Sequence, residues 1–203
     1  MAEQRVATPT ALMELREECQ VVKDGYRFLD EKRLLLAAEI LRQLDEYERL
    51  HHDYLQLHRE AASALADAAA RHGLQGLQVY PAMAMETAEL QLRRRRFLGV
   101  QIAECELTLN DGAADTAVDP SPEARRCTRL FRELALRSAP LAAISGNLER
   151  LLKEYRRTER RARALEDVLL PELEQALGEI AVRLEELDQE EAVRVRLDYG
   201  RKR

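Results

Sequence analysis

The residues with the widest chemical range in this chain are its histidines and its runs of carboxylates and arginines. His51 and His52 stand beside Asp53, with His58 further on. A metal ion held on a helix needs ligands that share a face, but adjacent residues point in different directions, and only His51 and His58 share a face, two turns apart. A solvated or flanking role follows for them. Asp45, Glu46 and Glu48, and later Glu185, Glu186, Asp188, Glu190 and Glu191, could be paired as acid and base only in a pocket that perturbed them. On long exposed helices such residues form a solvated face with Lys and Arg neighbours. There is no GxxxxGK phosphate loop, no GxSxG elbow, no HExxH helix and no calcium loop. The run Arg93, Arg94, Arg95 and Arg96 has two readings, a soluble hairpin tip or a contact for an acidic partner, with phosphate binding a distant third.

The elements that position these residues follow from composition and spacing. Of 203 residues 34% are charged and only 4% aromatic, with no Trp, yet 46% are hydrophobic. So few large side chains leave a thick globular core short of volume, which suits elongated, solvated helices. A net charge of −5 spread over the whole chain disfavours nucleic acid as a partner. Cys19, Cys105 and Cys127 are too few and too scattered for a disulfide framework or zinc ribbon, and read as reduced cytosolic thiols. No stretch reads as a signal peptide, and even Leu34 to Ile40 falls far short of a membrane span.

Gly and Pro divide the chain into a single elongated domain of three parts, 1–72, 73–120 and 121–203. In the first part apolar residues recur at spacings of three and four through Leu12, Leu15, Cys19, Val22, Tyr26 and Leu29, then Leu36 and Ile40, with Arg33 interrupting. The stripe continues through Leu44, Tyr47, Leu50, Tyr54, Leu57, Ala61, Leu65 and Ala68. This pattern predicts a coiled-coil helix from about Thr10 to Arg71, capped by Thr8 before Pro9 and stopped at Gly73. Some sixty residues of helix extend roughly 90 Å and need a partner of similar length.

The last part supplies that partner, starting at Ser121, Pro122 and Glu123. Its stripe runs through Leu130, Leu134, Leu148, Leu152, Tyr155, Ala162, Leu165, Leu169, Leu173, Ala176, Ile180, Leu184 and Leu187. Two successive spacings of four, from Leu165 through Leu169 to Leu173, depart from a heptad and should alter the winding. Pro140 reads as a break, and Pro171 as a bend in a continuous helix. In the middle part, alternation at Ala88, Leu90 and Leu92, at Val100 and Ile102, and at Cys105, Leu107 and Leu109 predicts a β-hairpin with Arg93 to Arg96 at or near its turn. A phase change at Ala103 and Glu104 would be a bulge or the end of pairing. The expected fold is therefore mainly α, an antiparallel two-helix coiled coil with a small central β-hairpin. Its seam includes Val22, Leu29, Leu36, Ile40, Leu165, Leu169, Leu173, Ile180 and Leu184.

The order of residues carries a resemblance as well. The stretch RRARALEDVLLPELEQAL, Arg160 to Leu177, and the stretches PTALMELR and VKDGYRFLDEKRLLL, between Pro9 and Leu36, resemble signature regions of the D subunit of the V-type (archaeal-type) ATP synthase. Gly25, Leu29, Lys32, Arg33, Arg160, Arg161, Ala164, Leu165, Glu166 and Pro171 match in order. Ala162 and Arg163 stand where that family commonly has Val and Asn, and Phe28 and Asp30 where it has Leu and Lys.

The resemblance implies a central-stalk rotor shaft without a catalytic site or cofactor of its own, cytoplasmic and peripheral to the membrane. Its implied partners are the catalytic and regulatory head subunits, A and B, the small central-stalk protein F and the funnel-shaped protein C above the membrane ring, with proton or sodium as the coupled ion. Expected partner-facing residues are Leu12, Leu15, Lys32, Arg33, Arg93, Arg94, Arg95, Arg96, Arg160, Arg161, Arg194, Arg196, Arg201, Lys202 and Arg203. A free-standing coiled-coil tether would need the heptads alone, and a small helical-bundle enzyme would need a converging polar pocket.

Overall fold

The computed structural model describes residues 6–78, 88–109 and 121–201. The elements run α1 (Pro9–Gln78), β1 (Ala88–Phe97), β2 (Val100–Leu109), α2 (Pro122–Ala164), a π-helical turn at Leu165–Leu169, and α3 (Leu170–Arg201). Two long helical segments packed against each other with one small antiparallel hairpin between them is the architecture the spacing predicts.

Both helix starts are set by side-chain oxygens that satisfy otherwise orphaned N–H groups. The Ala11 N–H donates to Thr8 Oγ1 at 3.1 Å, and the Ala124 N–H donates to Ser121 Oγ at 3.1 Å. Ser121 is buried and its hydroxyl lies 2.6 Å from His72 Nε2. Gly73, read as the stop, instead interrupts α1 with a left-handed backbone (φ 67, ψ 167), after which the helix resumes to Gln78. Pro140 does not break α2, which continues through it from Pro122 to Ala164. Its ring costs one backbone bond, and the packing of its neighbours Ala139 and Ile144, both buried, holds the helix together.

The chain forms two compact units. One comprises Met1–Leu35 with Tyr155–Arg203. Its core gathers Leu15 and Cys19 of α1 with Leu173 and Ile180 of α3, flanked by Leu12, Val22, Leu169, Ala176 and Leu184. The double spacing of four at Leu165, Leu169 and Leu173 is realised as the π turn, in which the Leu170 N–H bonds Leu165 O. The wider turn absorbs the extra residue and keeps the apolar face on its partner.

The other unit is Leu36–Glu154. Leu57, Ala61 and Ala64 of α1 pack on Leu130 and Leu134 of α2, with Tyr54 and Cys127 against them. The small side chains of Ala61, Ala64 and Ala68, all essentially inaccessible, let the backbones approach closely. Here the buried face departs from the apolar stripe. Leu44 and Leu65 are exposed while Gln43 and Ala64 are buried, and Leu152 is exposed while Asn147 and Leu151 are buried.

The hairpin ladder is unbroken from Ala88↔Leu109 to Phe97↔Val100, with no bulge at Ala103 and Glu104. Arg93 to Arg96 are therefore strand residues paired with Glu104, Ala103, Ile102 and Gln101, and the turn is Leu98 and Gly99. Both turn residues have positive φ, 48° and 89°, as a two-residue hairpin twisted to match its strands requires. Gly99 tolerates this, whereas Leu98 is strained. Leu98→Asn should raise stability by about 1 kcal/mol, and a thermal melt that stays unchanged or falls would contradict it.

Candidate partner interface

The hairpin is seated by polar groups from both helices of its unit. On α1, Glu39 is about nine-tenths buried, and its carboxylate receives a fork from Arg42, Nε at 2.9 Å and Nη2 at 2.7 Å. The Gln43 amide at 2.8 Å and Arg95 Nη2 at 3.2 Å also donate to it. Arg95 reaches Glu104 across the ladder at 3.7 Å. On α2, Asn147 receives the Ala103 N–H on Oδ1 and donates Nδ2 to the Ala103 carbonyl, both at 2.8 Å. Arg150 Nε donates to Gln101 O at 2.9 Å, and Arg132 Nη2 donates to Leu109 O at 2.5 Å. An open cleft of about 440 Å³ lies among Glu39, Gln43, Arg95, Pro140 and Asn147. The buried Gln43 Oε1 has no partner there among the described residues.

The apolar pattern does not predict this network, yet the sequence carries a signal of it. Glu39 follows Leu36 by three residues and Gln43 follows Glu39 by four, while Asn147 stands three and four residues from Ile144 and Leu151, so that polar residues interrupt a buried face. A polar residue in a seam marks a registering contact rather than solvent.

The fork from Arg42, helped by Gln43 and Arg95 and opposed by burial, holds the Glu39 carboxyl down to about 2. Its folded value lies below its unfolded value, so the stabilisation is present above about pH 4.5 and lost as pH falls towards 2. A shift of that size corresponds to about 3 kcal/mol at neutral pH. Wild type should therefore lose more stability than Glu39→Gln between pH 5 and pH 2 in denaturant titrations. Parallel curves for the two proteins would show that the carboxylate does not carry this dependence.

In the other unit the two matching stretches meet. Gly25 faces Leu165, where an added Cβ would lie 3.8 Å from Leu165 Cδ1. Lys23 pairs with Glu174 at 2.9 Å, and the Glu166 carboxylate beside the Tyr26 hydroxyl raises that phenol above its usual range. Arg33 pairs with Asp30 at 2.7 Å and Lys32 is half-buried, while Arg160 and Arg161 are exposed. Leu15 lies in the chain's own core and offers no surface, and Leu12 packs against that core. Of the nine seam residues, Leu36, Leu173 and Ile180 are buried and Val22, Leu29, Ile40, Leu165, Leu169 and Leu184 are half-buried.

Beyond Leu184, α3 changes character. Every side chain from 185 to 197 is exposed, including Leu187, Val193, Val195 and Leu197 at 51%, 55%, 49% and 66%, together with Arg194 and Arg196. Arg201 ends α3, its side chain undescribed, and Lys202 and Arg203 lie outside the described residues. Ala7 and Leu12, near the start of α1, belong to the cluster that Leu184 flanks, so α1 begins where the burial of α3 ends. The remaining turns have no helix alongside among the described residues.

His51 and His58 each lie over a tyrosine one turn earlier, Tyr47 at 5.3 Å and Tyr54 at 6.4 Å between ring centroids. No helix among the described residues is long and apolar enough to cross a membrane.

A likeness to known proteins runs over nearly the whole chain. The sequence model of the ATP synthase D-subunit family matches residues 11–197. The D subunit of the A-type ATP synthase of Methanoregula boonei is 29% identical over 193 residues, covering 93% of this chain and 92% of that protein. The D subunit of the V-type ATP synthase of Thermotoga neapolitana is 24% identical over 186 residues, covering 91% and 92%. Its A-type counterpart in Methanopyrus kandleri is 27% identical over 192 residues, covering 93% and 83%.

Proposed function

The chain belongs to the ATP synthase D-subunit family, and on that premise we propose that it is the rotor shaft of the central stalk. It carries torque between a membrane ion-translocating ring and a catalytic head, and performs no catalysis itself. The observation that supports this reading best is the bare end of α3. A helix that exposes Leu187, Val193, Val195 and Leu197 between arginines and carboxylates is costly alone in water and is relieved by a socket. We assign that socket to the head formed by the A and B subunits, with the start of α1 beside it.

Torque then needs no side-chain chemistry. A shaft that contacts each head interface differently biases the conformational equilibrium of each nucleotide site in turn. Linkage makes the coupling reciprocal, so turning the shaft drives synthesis and closing of the sites turns the shaft. In this reading the hairpin bearing Arg93 to Arg96 faces the small central-stalk protein F, and the funnel-shaped protein C couples the shaft to the ring at the cytoplasmic face of the membrane.

Removing residues 188–203 tests the assignment. The truncated protein should still assemble and the head should still hydrolyse ATP, but vesicles carrying the complex should lose most ATP-driven ion pumping. Pumping at the wild-type level would reject the socket.

A further inference from the structure

The hairpin has two edges, and the fold treats them differently. Ala103 turns both its N–H and its C=O to Asn147, so Ala103↔Arg94 is a pair without ladder hydrogen bonds. Alternation along an antiparallel ladder then makes 101↔96, 105↔92 and 107↔90 pairs of the same kind. On β2 four of the outward groups are taken up by α2: the Ala103 N–H and C=O by Asn147, Gln101 O by Arg150 and Leu109 O by Arg132. On β1 the corresponding groups of Leu90, Leu92, Arg94 and Arg96 face outward with no strand paired beyond them among the described residues, and every side chain from 89 to 96 is exposed. The strand is ten residues long and has neither proline nor bulge, which leaves it open to pairing.

We propose that the β1 edge is a docking site that accepts an extended acidic segment of a neighbouring subunit as a third, antiparallel or parallel, strand. The main-chain groups supply the pairing and the arginines the selectivity. Arg95 is engaged by Glu39 and Glu104, whereas Arg93, Arg94 and Arg96 make no ion pair among the described residues. They leave three cations along one edge. A second copy is the wrong occupant, because self-pairing centred on the run sets arginine against arginine. A cleft of about 490 Å³ lined by Leu90, Leu92 and Arg94 of β1, Ala103 of β2 and Ala142 and Gly146 of α2 opens on the same hairpin face as the side chains of Leu90, Leu92 and Arg94. The proposal rests on the chain working inside a multisubunit ATP synthase, and not on torque transmission.

Residue-resolved amide exchange on the isolated chain and on the assembled complex tests it. The amides of Leu90, Leu92, Arg94 and Arg96 should slow by roughly tenfold or more on assembly, about the protection one hydrogen bond gives. Those of Gln91, Arg93 and Arg95, already bonded to β2, should be protected in both. Leu92→Pro removes one outward N–H without touching the ladder, and should abolish the added protection at Leu90, Arg94 and Arg96. Equal exchange of the outward amides in both samples overturns the proposal, as does protection that survives Leu92→Pro, since it would come from crowding rather than pairing. If Leu92→Pro also loses protection at Gln91 and Arg93, the hairpin itself has failed. The double substitution Arg94→Glu with Arg96→Glu then decides, with lost outward protection supporting the acidic strand and retained protection overturning it. ATP-driven pumping measured on the same wild-type complex keeps the two readings apart, because an unprotected edge in a pumping complex sinks only the strand.

Discussion

Leu15→Asp should unpair the helices of the unit that joins the two ends of the chain, at a cost of about 4 kcal/mol or more. Leu15 is 1% exposed and packs with Cys19, Leu173 and Ile180. The substitution forfeits roughly 2 kcal/mol of apolar burial and adds the larger penalty of a carboxylate with no cation in its cluster. Met13, two residues earlier, is 63% exposed, so Met13→Asp should stay within about 0.5 kcal/mol of wild type. Circular dichroism melts of the two variants separate a packing effect from a general effect of charge near the helix start. Equal melting temperatures would mean that Leu15 does not hold the pair together.

Asn147→Leu should release the hairpin from α2. The replacement is close in size but satisfies neither the N–H nor the C=O of Ala103, and each buried group left without a partner costs about 1–3 kcal/mol. A total loss of about 2–6 kcal/mol follows, concentrated in the unit Leu36–Glu154. Exchange of the Ala103 amide should accelerate while amides around Leu173 and Ile180 stay protected. A hairpin that remains protected in this variant would show that the seat depends on Val100 and Ile102, both buried, rather than on the amide.

These two sites mark how far the sequence can be read. Leu15 is legible, because apolar residues at spacings of three and four leave one choice of face, and the caps at Thr8 and Ser121 follow from residue type alone. Asn147 is not. Counting apolar residues puts Leu148 and Leu152 on the inner face, whereas the backbone of β2 needs a two-ended donor and acceptor there, and that need arises only once the hairpin is in place. The same holds at Gln43, buried in place of Leu44 because it supports Glu39. The four–four spacing at Leu165 to Leu173 announces a change of winding without saying that it takes the form of a π turn. The run Arg93 to Arg96 reads in sequence as lying at or near the hairpin turn, either a soluble tip or an acidic-partner contact, and only the register shows that it is part of a strand whose turn lies at Leu98 and Gly99.

The proposed role as a rotor shaft predicts that this chain turns relative to the head. With the head fixed to a surface, a bead is attached to a cysteine introduced at exposed Glu60, in the unit away from the socketed end of α3, with Cys19, Cys105 and Cys127 replaced, and is followed under ATP. A rotor shaft gives sustained rotation in one direction that stops when ATP is exhausted. A bead that only fluctuates about a fixed angle while the same complexes hydrolyse ATP would contradict rotation of this chain.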